Sequence, residues 1–417
     1  MKAGFWGRTA CGNFHVQGFA FFLKIMSSKT PFYYSTGFLI LGILLVSFNL
    51  RPSITAVGPL IPEIREDLGL SNGLAGFLTT LPLLTFATFS LFAARIGRVL
   101  GNSRAIFYAL GLILIGSVLR VLGGSAWLFV GTGITGIGIV ICNVLIIPLI
   151  KSRLPHKVGL MMALFTTGMT LFAAIASGVS APMSIDWGLG WRGSLLAWSS
   201  LIVLGMLVWL PQSRMNLRPT ASVKDQEIVN VWKSRLAWQV SLFMGVQSLL
   251  FFTIIAWLPD MMMDRGLTAV EAGVLVSFMQ LIGLIGSFMA PLLAVKFKNQ
   301  VGIVWVLGLM YLLGFGSLFL QDLLLNYIGL TLVGLGLGSS ISLAYVLIGL
   351  RTGEEKVTAA LSGMSQSTGY YLAALGPLFF GMAFDRWGNW SMLVWLLLIC
   401  SVLFIYFGSK AALDRKI

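Results

Sequence analysis

Residues 61–78, IPEIREDLGLSNGLAGFL, recur in part at residues 258–275, LPDMMMDRGLTAVEAGVL. A constant shift of 197 positions aligns shared positions in the two stretches: Pro62 with Pro259, Glu63 with Asp260, Asp67 with Asp264, Gly69 with Gly266, and Ala75-Gly76 with Ala272-Gly273. FVGTGITGIG at 129–138 matches YIGLTLVGLG at 327–336 with a shift of 198, and Asp186 and Trp191 match Asp385 and Trp390 with a shift of 199. The shift changes by only two residues along the chain, which indicates that the sequence consists of two similar halves.

Each half is rich in long apolar stretches. The chain has 417 residues, of which 57% are hydrophobic and only 10% charged, with a mean hydropathy of +0.92. An apolar stretch of roughly 18 residues or more can cross a bilayer, and backbone within lipid must be helical unless strands close into a barrel, whose alternating pattern is absent. Twelve such stretches are present, at approximately 33–59, 72–94, 104–122, 126–150, 158–181, 193–211, 237–259, 270–294, 300–320, 325–349, 357–383 and 390–409.

The sequence therefore predicts an all-α polytopic membrane protein with twelve transmembrane helices in two six-helix bundles. Six spans per half make both halves start on the same membrane side, so they can rock around a site held between them. The predicted regions are an N-terminal cytoplasmic segment at 1–31, a first bundle at 32–211, a cytoplasmic linker at 212–236, a second bundle at 237–409 and a cytoplasmic tail at 410–417. Within the first segment, Met26 begins a tidier start, and we interpret it as the initiator.

The basic residues predict the orientation of the chain. Most Lys and Arg residues lie in one alternate set of connections, and the opposite set holds five: Arg65, Arg120, Arg192, Arg265 and Arg386. Short loops rich in Lys and Arg remain in the cytoplasm. Both termini are therefore predicted to be cytoplasmic, in a multi-pass protein of the plasma membrane. The net charge of +14 orients the protein in the lipid bilayer, and we expect no nucleic-acid partner.

Several other classes of function are disfavoured. Cys11, Cys142 and Cys400 lack the spacing of a metal site or disulfide framework, and His15 and His156 are the only histidines. Glycines that resemble a phosphate-binding loop lie within apolar segments, where close helix packing is the better interpretation; they are Gly131, Gly133, Gly136, Gly138, Gly334, Gly336 and Gly338. No ATP-binding sequence is present. We expect no cofactor, no metal and no enzymatic activity.

Arg51, in VSFNLRPSIT at 46–55, is the only basic residue that this interpretation places deep within a span. Ser47 and Thr55, one turn away on either side, make the same helix face polar, and Pro52 favours a kink. No acidic residue lies in the middle of a span, and the nearest in depth, Glu63 and Asp260, lie at helix ends. The alternatives are a structural contact and a substrate-binding residue. We favour substrate binding, because a guanidinium suits small oxyanions.

The same absence of acids bears on energy coupling. Proton-coupled carriers commonly use an intramembrane Asp, Glu or His, so facilitated diffusion, anion exchange or movement of a substrate with its own proton fits better. Other polar residues within spans are each either interhelical hydrogen-bonding groups or ligands. The predicted substrate-binding set is Arg51, Asn143, Gln247, Gln280, Tyr345, Gln366 and Tyr370. Ser248, the repeat equivalent of Arg51, lacks a charge, so the cation belongs to one half only.

Four segments resemble the cyanate and 2-nitroimidazole transporter branch of the major facilitator superfamily: NLRPSITAVGPL (49–60), CNVLIIPLIK (142–151), WKSRLAWQVSLFMGVQSLLFFTIIAWLP (232–259) and LSGMSQSTGYYLAALGP (361–377). The resemblance implies the twelve-helix fold, with the first, fourth, seventh and tenth helices facing a central path that includes Arg51, Asn143, Gln247 and Tyr345. One stretch, SLFAARIGRVLG (90–101), has Ala94 where the superfamily usually has a gating aspartate. The inner gate must therefore use other contacts.

The sequence predicts a secondary active or facilitative transporter, acting as a monomer, that moves a small anionic or polar solute such as cyanate by alternating access. The alternative is an exporter of small neutral heterocycles such as 2-nitroimidazole, because the branch includes both kinds of transporter. A membrane sensor or an integral membrane enzyme would need an extramembrane signalling domain or a clustered catalytic set, and neither is visible in the sequence.

Overall fold

A computed structural model of the protein describes residues 35–70, 72–214, 230–267, 269–320 and 322–417. The predicted N-terminal segment, with Met26, and most of the predicted linker, at 215–229, lie outside the described residues. Regular structure in the described part of the chain is helical. The helices, named in chain order, are α1 in three segments (Thr36–Leu50, Pro52–Thr55 and Val57–Leu68), α2 (Asn72–Leu100), α3 (Asn102–Leu122), α4 (Ser125–Arg153), α5 (Val158–Ile185), α6 in two segments (Gly190–Ala197 and Ser199–Arg214), α7 (Arg235–Met263), α8 (Ala269–Ala294), α9 (Val301–Ser317), α10 (Leu323–Leu350), α11 (Glu355–Trp387) and α12 (Trp390–Ala411).

Most of these helices are long and apolar enough to cross a membrane. Ten meet both conditions within the described ranges. The other two are α9, an apolar helix of 17 residues, and α11, which has 33 residues but includes several Ser, Thr, Gln and Tyr side chains. The all-helical, polytopic fold class that the sequence predicted is confirmed.

The first helix differs from a regular span. It is interrupted at Arg51, whose backbone has φ −103° and ψ −41°, and again at Ala56. Pro52 begins the short middle segment, where its missing N–H group removes a helical hydrogen bond. The regular helix is therefore interrupted next to Pro52, where the sequence predicted a kink. The helix also extends to Leu68, beyond the predicted end at residue 59, and Gly69 ends it with φ +62°.

Equivalent positions of the two halves make the same hydrogen bond. The indole nitrogen of Trp191 donates to Asp67 across 3.1 Å, and that of Trp390 donates to Asp264 across 2.6 Å. These are the pairs that the shifts of 197 and 199 relate. In each half the bond joins the end of an odd-numbered helix to the start of an even-numbered one. The repeat therefore persists in the side-chain contacts as well as in the sequence.

Helices α4 and α10 are the most enclosed, because 83% and 78% of their most apolar windows are buried. Glycine lets neighbouring helices approach them closely. A Cβ atom at Gly138 would lie 2.5 Å from the Ala109 carbonyl oxygen, and one at Gly338 would lie 1.9 Å from that of Gly283. Gly133 has open space around it. Close packing thus accounts for the glycines of α4 and α10 that touch neighbours.

The helices form two groups, α1–α6 and α7–α12, which meet along a shared interface. Across it, α2 packs against α11, α5 packs against α8, and α4 packs against α11. We use "terminal face" for the face of the molecule at which α1 begins and α12 ends, and "opposite face" for the other. The twelve passes alternate between these two faces, so α4 and α10 both end at the terminal face.

Candidate functional site

Arg51 lies at the first interruption of α1 and is partly buried. The polar side chains predicted to share its face are bonded to nearby backbone: Ser47 donates to the Leu44 carbonyl at 2.7 Å, and Thr55 to those of Arg51 and Ala173, each at 3.2 Å. These hydroxyls therefore stabilise the interruption and its contact with α5. Arg51 is the group on this face whose side chain has no such bond within the described residues.

No carboxylate pairs with Arg51 among the residues that the structure describes. Glu63 is occupied elsewhere: its carboxylate accepts a hydrogen bond from the Trp191 backbone at 2.8 Å and another from Ser184. The Arg51 guanidinium lies within electrostatic range of the Tyr345 hydroxyl on α10 of the second bundle.

Tyr345 belongs to a buried aromatic cluster at the bundle interface. Its ring centroid lies 6.4 Å from that of Phe165 on α5, and its hydroxyl interacts electrostatically with Tyr370 on α11. The Tyr370 ring lies 5.1 Å from Phe86 on α2. The Tyr345 hydroxyl is buried and lacks a hydrogen bond of good geometry in the described part of the chain. Tyr345 is therefore within electrostatic range of two other predicted site residues, Arg51 and Tyr370.

Asn143 on α4 and Gln366 on α11 are also buried with unused acceptor atoms. Asn143 Oδ1 and Gln366 Oε1 have no hydrogen-bond partner within the described ranges, although Gln366 Nε2 donates to Ser362 at 3.0 Å. A buried polar atom without a partner is uncommon and requires an explanation. A bound solute with hydrogen-bond donors would satisfy these atoms.

The two remaining predicted residues differ from each other. Gln247 is buried, and its amide group donates to the Met244 carbonyl at 3.1 Å and to Ser248 at 2.6 Å. Its donors are therefore engaged within α7. Gln280 on α8 is partly buried and makes no hydrogen bond among the described residues. These bonds lie within one helix, so they are neither the interhelical hydrogen bond nor the ligand contact that the sequence left open for Gln247.

The site is closed in this conformation. Asn143, Tyr345, Gln366 and Tyr370 are at most 3% exposed. Below Tyr345, at the terminal face, Lys151 Nζ donates to the Gly349 carbonyl at 2.7 Å and to the Thr352 hydroxyl at 3.0 Å. This lysine of the first bundle therefore caps the last carbonyls of α10 in the second, where a cation is favourable.

Other inter-bundle bonds lie on the same side of the molecule or near its middle. Asn102 at the start of α3 donates to Glu355 at the start of α11. Ser367 donates to the Ala87 carbonyl at 2.6 Å, and Thr166 donates to that of Ser287 at 3.2 Å. These bonds and those of Lys151 are among the contacts that join the bundles although Ala94 replaces the usual gating aspartate.

We expected Arg51 to be the only basic residue deep within a span, and in the described part of the chain two other arginines are buried inside the protein. Arg120, which we assigned to a connection at the opposite face, is 2% exposed inside the last turns of α3. Arg351 at the end of α10 is also 2% exposed, and it donates to the carbonyls of Ala411 and Ala412, each at 2.9 Å. Burial lowers the pKa of Arg351. Arg120 could have been found from the sequence, since it lies within the predicted span 104–122.

Twelve helices in two similar bundles, with buried polar side chains at their interface, define a multi-pass membrane transporter. The family model described as "Major Facilitator Superfamily" matches residues 43–377. The chain therefore belongs to the major facilitator superfamily, whose members bind small-molecule substrates and are not enzymes.

Curated relatives agree with this assignment. An "Uncharacterized transporter YycB" of Bacillus subtilis (strain 168) is 46% identical over 380 residues, which cover 91% of this chain and 94% of that protein. A "2-nitroimidazole transporter" of Escherichia coli (strain K12) is 38% identical, with 91% and 96% covered. The "Cyanate transport protein CynX" of the same strain is 25% identical, with 85% and 92% covered.

A solved structure shares the fold. The proton:xylose symporter XylE, bound to 6-bromo-6-deoxy-D-glucose, superposes with a TM-score of 0.72 at 14% identity, covering 90% of this chain and 94% of that chain. At this identity the likeness concerns the arrangement of helices only.

Proposed function

We propose that this protein transports a small anionic or polar solute, such as cyanate, by alternating access, with Arg51 as the main substrate contact. Asn143, Tyr345, Gln366 and Tyr370 would orient the solute, Gln280 would contact it from the side of α8, and Gln247 would support the site through α7. In this proposal the terminal face is cytoplasmic, the protein acts as a monomer in the plasma membrane, and transport is secondary active or facilitative.

One observation supports the proposal most strongly. Arg51 is a permanently charged group in the middle of the molecule, at an interruption of α1, without a carboxylate partner in the described part of the chain. An uncompensated cation at such depth costs about 2.5–3.5 kcal/mol on insertion scales. An anion offers the missing partner, and binding it differently in two conformations would couple its movement to the rocking of the bundles.

The size of the solute follows from the closed side chains around it. Four of the proposed contacts are at most 3% exposed, so a solute bound among them would be enclosed by packed side chains. A planar guanidinium fork recognises small oxyanions and other delocalised groups through paired hydrogen bonds. A small, singly charged solute suits this combination better than a sugar or a lipid.

The direct test compares Arg51→Ala with Arg192→Ala in proteoliposomes that measure uptake of radiolabelled cyanate. Arg192 is an exposed arginine of the same bundle that pairs with Asp67 at 2.6 Å, so its loss should leave uptake within about twofold of native, as for other surface pairs. Arg51→Ala should reach the membrane and lose at least about 100-fold in uptake, since it removes a charged hydrogen-bonding group. Uptake of the accepted solutes at the native rate in Arg51→Ala would refute the assignment.

A neutral aromatic heterocycle is the second candidate. The rings of Tyr345, Phe165, Tyr370 and Phe86 surround the site, and aromatic faces bind planar rings. A relative at 38% identity carries the name 2-nitroimidazole transporter. Cells that overproduce the protein should become resistant to 2-nitroimidazole if it exports such compounds. Unchanged resistance together with cyanate uptake would favour the anion.

A further inference from the structure

Arg120 is more deeply buried than Arg51, and its surroundings differ from those of Arg51. Its Nη1 atom donates a hydrogen bond to the backbone carbonyl of Ser53 on α1. Its Nε and Nη2 atoms are buried and have no partner within the described residues. The side chain reaches α1 by passing over Gly131 of α4, where a Cβ atom would lie 3.0 Å from Arg120 Cγ.

Ser53 lies in the short middle segment of α1, Pro52–Thr55, two residues after Arg51. The regular helix is interrupted on both sides of this segment, at Arg51 and Ala56, although the backbone of both residues stays in the right-handed helical region. Ile54 and Thr55 donate to the Arg51 carbonyl, each at 2.9 Å, and Ala56 donates to that of Pro52 at 3.0 Å. Because the segment has four residues between two interruptions, a hydrogen bond from a neighbouring helix helps to fix its position.

Neither of the usual roles of an intramembrane arginine fits Arg120. A side chain that reached the membrane surface would be exposed, but Arg120 is 2% exposed. An arginine that joins helices through an ion pair would contact a carboxylate, and none pairs with Arg120 in the part of the chain that the structure describes. The contact that remains is the one to the interrupted segment of α1.

We propose that Arg120 is a positioning residue for the substrate site: it fixes the Pro52–Thr55 segment through Ser53 and so holds Arg51 toward Tyr345. This inference rests on the proposed function, because it assigns Arg120 a role through Arg51. Arg120 itself does not contact the solute. Its positive charge also adds to the potential that attracts an anion to this part of the bundle.

The first experiment needs no substrate. Hydrogen–deuterium exchange is measured on the full-length protein in nanodiscs for the native chain, Arg120→Met, Arg120→Lys and the control Arg192→Met. Arg120→Met should speed exchange of the amides of Ile54, Thr55 and Ala56 by about tenfold or more, because local opening becomes easier. Arg120→Lys keeps a donor for Ser53 and should stay within about threefold of native. Native-like exchange in Arg120→Met would overturn the proposal.

The second experiment measures binding of sodium cyanate and of 2-nitroimidazole to the same variants. Arg120→Met should weaken cyanate binding by about tenfold, and the double variant Arg51→Ala with Arg120→Met should be no more than about twofold weaker than Arg51→Ala, as for residues that act through one another. Additive losses would overturn the proposal. A native-like Arg51→Ala would instead refute the proposed function, while the exchange result would still decide the role of Arg120.

A further variant covers the case in which Arg120→Met does not fold. Gly131→Ala keeps the charge of Arg120 but places a methyl group 2.6 Å from the Gly116 carbonyl oxygen, 2.7 Å from the Arg120 backbone nitrogen and 3.0 Å from Arg120 Cγ, so it forces this part of α3, with Arg120, away from α4. It should displace the side chain from Ser53 and give the same faster exchange. The matched control is Gly133→Ala on the same helix, where nothing lies within 4 Å. Unchanged exchange in Gly131→Ala, in a folded protein, would contradict the proposal.

Discussion

Helices α1 and α7 occupy equivalent places in the two halves, yet only α1 is interrupted within the described residues. At a shift of 197, Arg51 corresponds to Ser248, and Pro52 corresponds to Leu249. Helix α7 runs from Arg235 to Met263 as one element, and Ser248 accepts a hydrogen bond from Gln247 at 2.6 Å. The comparison shows that two residues, a cation and a proline, separate a broken helix with an unpaired charge from a regular helix with satisfied polar groups.

The largest effect should come from making α7 resemble α1 in charge alone. Ser248→Arg places a second cation at a position that is 2% exposed, with no interruption to accommodate it. The cost of an unpaired charge at this depth is about 2.5–3.5 kcal/mol or more, so the variant should accumulate poorly in membranes. Quantitative blotting of membrane fractions measures this, with Ser248→Ala as the control. Native amounts of Ser248→Arg would show that α7 tolerates a charge as α1 does.

The opposite change makes α1 resemble α7. Pro52→Ala restores a backbone N–H group and should make α1 more regular. The free energy of unfolding should rise by about 1–3 kcal/mol at most. Transport should fall by about tenfold, because Arg51 would no longer lie at a junction. Thermal unfolding in detergent and uptake in proteoliposomes measure the two effects. Pro59→Ala, an exposed position in the last segment of α1, is the control, and a Pro52→Ala transporter with full activity would contradict this explanation.

A smaller effect should follow from changing the contact that joins the halves at the terminal face. Lys151→Met removes the hydrogen bonds to Gly349 and Thr352. At a shift of 198, Lys151 corresponds to Gly349 itself, so the second half has no lysine that could make the same contact. The conformational equilibrium should shift toward opening at the terminal face by about 1–2 kcal/mol, the usual range for one such contact. Spin-label distances between α4 and α10 measure the shift. The exposed Lys157 supplies the control, Lys157→Met, and equal distances in both variants would argue against this contact as a gate.

The smallest effects should be equal in the two halves. Trp191→Phe and Trp390→Phe each remove one hydrogen bond to an aspartate at the opposite face, and each should cost about 1–2 kcal/mol of stability. Unfolding of the two variants under the same conditions gives the comparison. Trp257→Phe, which removes an indole bond to the Pro377 carbonyl, is a useful reference within the second bundle. Clearly unequal losses for Trp191 and Trp390 would show that the two halves no longer use this bond alike.

The transmembrane fold was predictable because hydrophobicity in a bilayer leaves few alternatives: long apolar segments must be helices. The interruption at Pro52 was predictable for a similar reason, since proline removes a donor wherever it occurs. The hydrogen bonding of individual polar side chains was not predictable from the sequence. Gln247 and Gln366 look alike in the sequence, but Gln247 donates to neighbours within α7, whereas Gln366 keeps an acceptor without a partner in the described residues.

The sequence alone determined the membrane-spanning class, the duplication and the position of one cation in the middle of α1. It did so because hydrophobic length, a constant repeat shift and proline chemistry depend on local residue order. Only the tertiary structure decided that Arg120 is buried against α1, that Tyr345 lies within electrostatic range of Arg51, and that Lys151 caps α10 of the other bundle. Each of these contacts joins residues far apart in the chain, so it depends on how the helices pack and not on the composition of any one segment.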